Sequence, residues 1–225
     1  MSVVSTYHRF GHVIDIMSSA SALNDIVDSI SNRSLPPVSE WQPEITRDID
    51  IFIARNGDWF YLGSRIQRQR MVQLFSSVLR VDEGQAYLVT PQERLRIKVE
   101  DAPFTAVLVE RYTTQTVELD KWVKGRASGS SSTTVAAKEE TPVLVFTTNL
   151  GDKIIVDEQH PITVDYSRPG AEPAPYVLVR DSLKALINRS AFYQLADWAE
   201  ERPEGLGVLS CGRFMLLSDP GEKDE

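Results

Sequence analysis

The chain reads as an α+β protein of two related β-rich modules, each with a packed helix, preceded by an amphipathic N-terminal helix. Three observations predict this. A nine-residue signature occurs twice, Ile66-Gln67-Arg68-Gln69-Arg70-Met71-Val72-Gln73-Leu74 being answered by Ile187-Asn188-Arg189-Ser190-Ala191-Phe192-Tyr193-Gln194-Leu195, with Ile, Arg, Gln and Leu identical. Upstream of each copy, two strand-like segments are joined by a turn rich in Asn, Gly and Asp, Asn56-Gly57-Asp58 in one and Asn149-Leu150-Gly151-Asp152 in the other. Elsewhere alternating, β-branched and aromatic segments outnumber helical stripes. The expected organisation is a helical extension over 1–38, a first module over 39–101, a second and larger one over 102–219, and an acidic tail over 220–225.

Leu23, Ile26, Val27 and Ile30 recur at helical spacing, and Pro36-Pro37 must end that helix. Ile49, Ile51 and Ile53 alternate with Asp50 and Phe52; after the Asn56-Gly57-Asp58 turn, Trp59-Phe60-Tyr61-Leu62 returns, so a β-hairpin is expected. From Arg65 to Leu79 the apolar residues Met71, Leu74, Phe75, Val78 and Leu79 form a helical stripe. Ala86 to Val89, Leu95 to Val99, Phe104 to Tyr112 and Thr116 to Trp122 read as strands. Gly125 to Glu140 has little to bury and reads as a mobile loop.

Val143 to Thr147 and Lys153 to Asp157 make the second hairpin. A proline-bearing stretch through Pro161, Pro169, Pro173 and Pro175 then leads to extended structure at Tyr176 to Val179, an insertion that costs little loop entropy. Phe192, Leu195, Ala196 and Ala199 mark the second helix. A closing hairpin over Gly207 to Leu217 turns at Cys211-Gly212.

The 225 residues carry 32 acidic and 24 basic side chains, a net charge of -8, which argues against general nucleic-acid binding through counterion release. The single Cys211 excludes an intramolecular disulfide and any site of several thiolates, consistent with a reducing, cytoplasmic setting. No apolar run reaches the roughly 20 residues of a membrane helix.

Chemistry is written less plainly. Arg68 and Arg189 each lie three residues before the first large apolar residue of their stripe, so both are expected on the buried helix face. There each either braces its own module against a carboxylate or carbonyl, or faces the seam and grips an anion with its planar fork. Trp59 and Tyr61 share one side of their strand and Phe60 takes the other; Phe60 is expected in the core, leaving Trp59 or Tyr61 to pack or to stack on a planar ring. Glu100-Asp101 is the most catalytic-looking carboxylate pair, but adjacent strand residues point to opposite faces, so turn capping or Arg pairing is favoured over an acid/base role. Asp152, Asp157, Glu158 and His160 match no metal-ligand spacing, nor do His8 and His12, and Gly212 reads as a turn residue. No phosphate loop, nucleophile elbow or dinucleotide fingerprint is present, so no metal or cofactor is expected and an enzyme is not favoured.

Trp41-Gln42-Pro43, Asp48-Ile49-Asp50-Ile51, Gly57-Asp58-Trp59-Phe60-Tyr61, Ile66 with Arg68, Leu74 to Arg80, Leu88-Val89-Thr90-Pro91 with Glu93, and Val99-Glu100-Asp101-Ala102-Pro103-Phe104 together resemble the bacterial family known as domain of unknown function 1285. Thr148-Asn149 with Asp152, His160-Pro161, Pro175-Tyr176 with Val179-Arg180, Leu186 to Arg189 with Phe192-Tyr193, and Ser210 with Gly212 extend the resemblance over about Pro37 to Leu217. Arg47 and Cys211 depart from it, each standing where glycine is usual. The resemblance implies a duplicated β-rich module whose C-terminal half is pleckstrin-homology-like, a nucleotide-type ligand at the domain interface and a signalling role; no activity is implied.

The expectation is thus a cytoplasmic ligand-binding or signal-transduction protein that takes a small anionic, nucleotide-like molecule between its modules. Arg68 and Arg189 would contact charge, Trp59 or Tyr61 would stack, and Glu100, Asp101 and Asn149 would orient polar groups, with Tyr176 and Arg180 added by the resemblance. The alternative is an adaptor that binds a protein partner through the second module.

Overall fold

The computed structural model describes residues 35–113, 141–167 and 172–218. The helix expected over Leu23 to Ile30, the strand over Thr116 to Trp122, the loop over Gly125 to Glu140 and the acidic tail lie outside them. In chain order the elements are β1 (Ile45–Ile53), β2 (Trp59–Tyr61), β3 (Ser64–Arg65), α1 (Gln69–Ser77), β4 (Leu79–Asp82), β5 (Gln85–Val89), β6 (Glu93–Val99) and β7 (Phe104–Thr113). There follow β8 (Pro142–Thr148), β9 (Lys153–Ile155), β10 (Ile162–Asp165), β11 (Ala174–Arg180), β12 (Leu183–Ile187), α2 (Arg189–Asp197), β13 (Glu200–Arg202), β14 (Gly205–Ser210) and β15 (Arg213–Leu216). They form two six-stranded sheets, ordered β3-β2-β1-β6-β5-β4 and β10-β11-β12-β7-β8-β9, and a three-stranded sheet, β13-β14-β15. The chain is therefore β-rich with two described α-helices, as expected. Its residues fall into two compact units, 35–51 with 66–98, and 52–65 with 99–113, 141–167 and 172–218.

In the smaller unit, α1 buries Val72, Phe75 and Ser76. The helix is shorter than the stripe from Arg65 to Leu79 suggests. Arg68 keeps an extended backbone (ψ 101°) at its N-cap. At the other end the hydroxyls of Ser76 and Ser77 donate to the carbonyls of Gln73 and Leu74, the local bonding by which serine competes with helix propagation. Leu79 then pairs with Leu88 in the meander β4-β5-β6. Its first turn, Glu83-Gly84, has positive φ at both residues (51° and 81°), as a two-residue hairpin loop requires. Arg80 ties down the incoming chain by donating to the carbonyls of Val38 (3.0 Å) and Trp41 (2.7 Å).

In the larger unit, β7 pairs in parallel with β12 and antiparallel with β8, with an irregularity between Ala106 and Leu108. Fully buried Ser210 joins two backbones, accepting from the amide of Leu144 (2.9 Å) and donating to the carbonyl of Val156 (2.6 Å). Asn188 caps α2 by accepting from the amide of Ala191 at 2.8 Å. Strands β3, β4, β10, β12 and β13 were not expected, each being only two to five residues long, although Leu183, Ala185 and Ile187 of β12 bury one face in alternation.

The recurring signature extends into local geometry. In the β1-β2 hairpin the amide of Ala54 donates to Asp58 (2.9 Å) and that of Gly57 to Ala54 (2.8 Å); in β8-β9, Thr148 donates to Asp152 (2.9 Å) and Gly151 to Thr148 (3.0 Å). Gly57 and Gly151 occupy the left-handed position at φ 84° and 90°, so both are three-residue loops closed by a glycine bulge. Each of the nine-residue helices α1 and α2 is followed by an antiparallel three-stranded meander.

Candidate functional site

Polar side chains converge in the larger unit where β7 begins. Strand β6 ends at Val99, and the chain bends through Glu100 and Asp101 before Phe104 opens β7. The amide of Glu100 donates to the carbonyl of Ile53 (2.9 Å), and its carboxylate accepts from the amide of Arg55 (2.8 Å). The largely buried carboxylate of Asp101 meets Nε of Arg55 at 3.0 Å and accepts from the hydroxyl of Tyr176 at 2.6 Å. Both carboxylates thus serve one residue, Glu100 its backbone and Asp101 its side chain. The expectation that they diverge fails because they follow the strand rather than continue it. Half of the Arg55 side chain stays exposed, so its charge remains available at the surface.

Asn149 closes the other side. Its amide donates to the carbonyl of Thr105 (2.8 Å), its Oδ1 accepts from the amide of Thr105 (3.1 Å), and its Nδ2 donates to the carbonyl of Gly57 (3.2 Å). The two loops of matching geometry therefore touch, and Arg55 and Asn149 hold the same place in each. A Cβ on Gly57 would lie 2.5 Å from Nδ2 of Asn149 and 2.9 Å from Oγ1 of Thr105, so glycine is needed for the approach as well as for φ.

Arg180 lies over the ring of Phe104, its Cζ 5.3 Å from the centroid, within cation–π range. Burial pushes its pKa down, opposed by the charges of Asp152 and Asp181, and a guanidinium so placed stays protonated. Lys184 approaches the ring of Tyr176 at 5.9 Å. Glu100 and Asp101 thus meet at Arg55, with Tyr176 hydrogen-bonded to Asp101, while Asn149 and Arg180 each contact the first residues of β7, Thr105 and Phe104; sequence reasoning missed Arg55 because an arginine in a polar turn carries no pattern.

The other candidates lie elsewhere. Arg68 and Arg189 are both exposed, not on a buried face. The stripes are borne out at Phe75, Val78, Leu79 and Leu195 but not at their first residues: Val72 and Ala191 are buried where Met71 and Phe192, both half-buried, were expected to be. Arg68 precedes its helix, and Arg189 pairs in solvent with Glu172, whose hydrogen bond and charge raise its pKa. The β2 alternation is also inverted. Trp59 and Tyr61 are 1% and 6% exposed, in the core, and half-buried Phe60 packs on Phe52 with ring centroids 6.1 Å apart.

Asp157 accepts from the amides of Gln159 (2.9 Å) and His160 (2.8 Å) and meets Nδ1 of buried His160 at 2.8 Å. Burial would raise the Asp157 pKa, but these hydrogen bonds and the His160 charge outweigh it and hold it below the ordinary value. Glu158 turns away to Arg213. Among the described residues no three His, Cys, Asp or Glu side chains converge as metal ligands. Burial raises the Cys211 thiol pKa, so this cysteine is not an activated nucleophile.

Residues 36–102 match the N-terminal domain, and 131–217 the C-terminal domain, of the domain of unknown function DUF1285. A crystal structure of a DUF1285 family protein from Silicibacter pomeroyi DSS-3 is 41% identical, with a TM-score of 0.66 over 81% of this chain and 86% of that one. The chain belongs to the DUF1285 family. A second DUF1285 structure, from Shewanella baltica OS155, is 22% identical with a TM-score of 0.45, covering 65% of this chain and 90% of that one. No curated protein matches. No helix among the described residues is long and apolar enough to cross a membrane.

Proposed function

We propose that this DUF1285 protein is a cytoplasmic ligand-binding, signal-transducing protein that takes a small anionic, nucleotide-like molecule at the polar cluster around β7. In this reading the protein arose by duplication of a hairpin–helix–meander module, and its second module is pleckstrin-homology-like. The observation that carries the proposal is Arg55, held at its backbone by Glu100 and at Nε by Asp101 while half of its side chain remains exposed. A preorganised guanidinium is suited to bind phosphate or carboxylate oxygens. Arg180 adds a second positive charge, Tyr176 and Asn149 supply polar groups, and neither Arg68 nor Arg189 is required.

Thermal unfolding in the presence of nucleoside mono-, di- and triphosphates and of inorganic pyrophosphate tests the reading. A ligand at 100 times its dissociation constant adds about 2.7 kcal/mol of stability, which raises the midpoint by several degrees. Stabilisation that Arg55→Gln abolishes supports the site; no stabilisation by any of these anions refutes the reading.

An adaptor role is the second reading, favoured by Val107 and Leu108, two adjacent apolar residues each 41% exposed at the β7 irregularity. Recovery of a stoichiometric protein partner that Val107→Ser with Leu108→Ser releases, together with silence in the anion screen, favours it.

A further inference from the structure

The β1-β2 loop contains the only Asn-Gly pair in the sequence, Asn56-Gly57. Asn-Gly is the dipeptide most prone to spontaneous deamidation, because glycine lets the following backbone nitrogen approach the asparagine side chain. Asn56 is exposed to water. Three hydrogen bonds oppose the reaction here. Oδ1 of Asn56 accepts from the amide of Asp58, and Nδ2 donates to the Asp58 carboxylate, both at 3.0 Å. The attacking nitrogen, that of Gly57, is engaged with the carbonyl of Ala54 at 2.8 Å.

We propose that Asn56-Gly57 is a latent modification site, kept unreactive by the Asp58 clasp. When the clasp opens, the Gly57 nitrogen gives up its proton and attacks Cγ of Asn56. The new N–C bond forms as the Cγ–Nδ2 bond breaks, and ammonia leaves. Water then opens the resulting succinimide at either carbonyl to give aspartate or isoaspartate. Either product replaces a donor with a carboxylate facing Asp58. Isoaspartate also lengthens the backbone by one methylene between Arg55 and Gly57. The modification therefore acts on the loop that presents Arg55 and meets Asn149, and its chemistry is independent of whether the cluster binds a ligand.

The test is mass spectrometry of the tryptic peptide running from Asn56 to Arg65 after incubation of the full chain at mildly alkaline pH. It compares native wild type, wild type in urea and Asp58→Ala, with Asn56→Gln as the unreactive control. Wild type in urea and folded Asp58→Ala should both convert several-fold faster than native wild type, with isoaspartate among the products. Equal rates in native and urea-treated wild type, or a folded Asp58→Ala no faster than wild type, would overturn the proposal.

Discussion

The side-chain amide of Asn149 donates to the backbone carbonyl of Gly57 across 3.2 Å, joining two loops with the same hydrogen-bonding plan. Each loop sets its own hairpin, and the contact fixes how Arg55 stands beside Asp101. The positive φ of Gly57 strains any side chain placed there, and a Cβ, 2.5 Å from Nδ2 of Asn149, would have to displace that amide. Gly57→Ala should destabilise by roughly 2 to 5 kcal/mol, combining left-handed strain with overpacking. Asn149→Ala should relieve part of that cost, so urea unfolding of both single variants and the double variant should show coupling.

At the tip of β2-β3 the opposite substitution is expected to help. Leu62 adopts φ 48° and is 46% exposed, so it carries left-handed strain while burying little. Leu62→Asn or Leu62→Gly should raise the stability by about 1 kcal/mol, read as a higher urea midpoint at unchanged slope.

How much of this was legible follows from particular residues. The hairpins at Asn56-Gly57-Asp58 and Asn149 to Asp152 were readable because a left-handed glycine is a strong local signal. Helix existence and the later part of each buried stripe, Phe75, Val78 and Leu79 in one and Leu195 in the other, were readable, but the first turn was not. Met71 and Phe192 outweigh Val72 and Ala191 in apolar bulk, yet the smaller residues face inward; Arg68 is exposed because it stands ahead of its helix, and Arg189 because it opens α2 on the solvent side. In β2 Trp59 and Tyr61 took the core, although alternation alone allowed either face. Glu100 and Asp101 drew attention as a pair; their shared partner Arg55 lies 45 residues before Glu100, and only the fold brings it there.

Ser210 should be costly to change. Its hydroxyl serves both the Leu144 amide and the Val156 carbonyl in a fully buried position. Ser210→Ala leaves both groups without that partner and should cost roughly 1 to 3 kcal/mol in a chemical unfolding experiment.

Asp157 gives the protein a defined acid sensitivity. Its folded pKa lies below the unfolded value of about 3.9, so the folded state binds fewer protons. The contribution is fully present above the unfolded pKa and is lost as pH falls through the folded one. The stability advantage of wild type over Asp157→Asn should therefore be constant just above pH ~5 and shrink progressively below pH ~4. An advantage unchanged down to strongly acidic pH would contradict this assignment.

The central claim is that the Arg55 cluster binds a small anion, and the most direct measurement is an amide-resolved NMR titration with a nucleoside diphosphate. Saturable shifts centred on Arg55, Gly57, Thr105 and Asn149, absent in Arg55→Gln, are the predicted result. Saturable shifts confined to residues remote from β7, or no shifts at millimolar ligand, would contradict it.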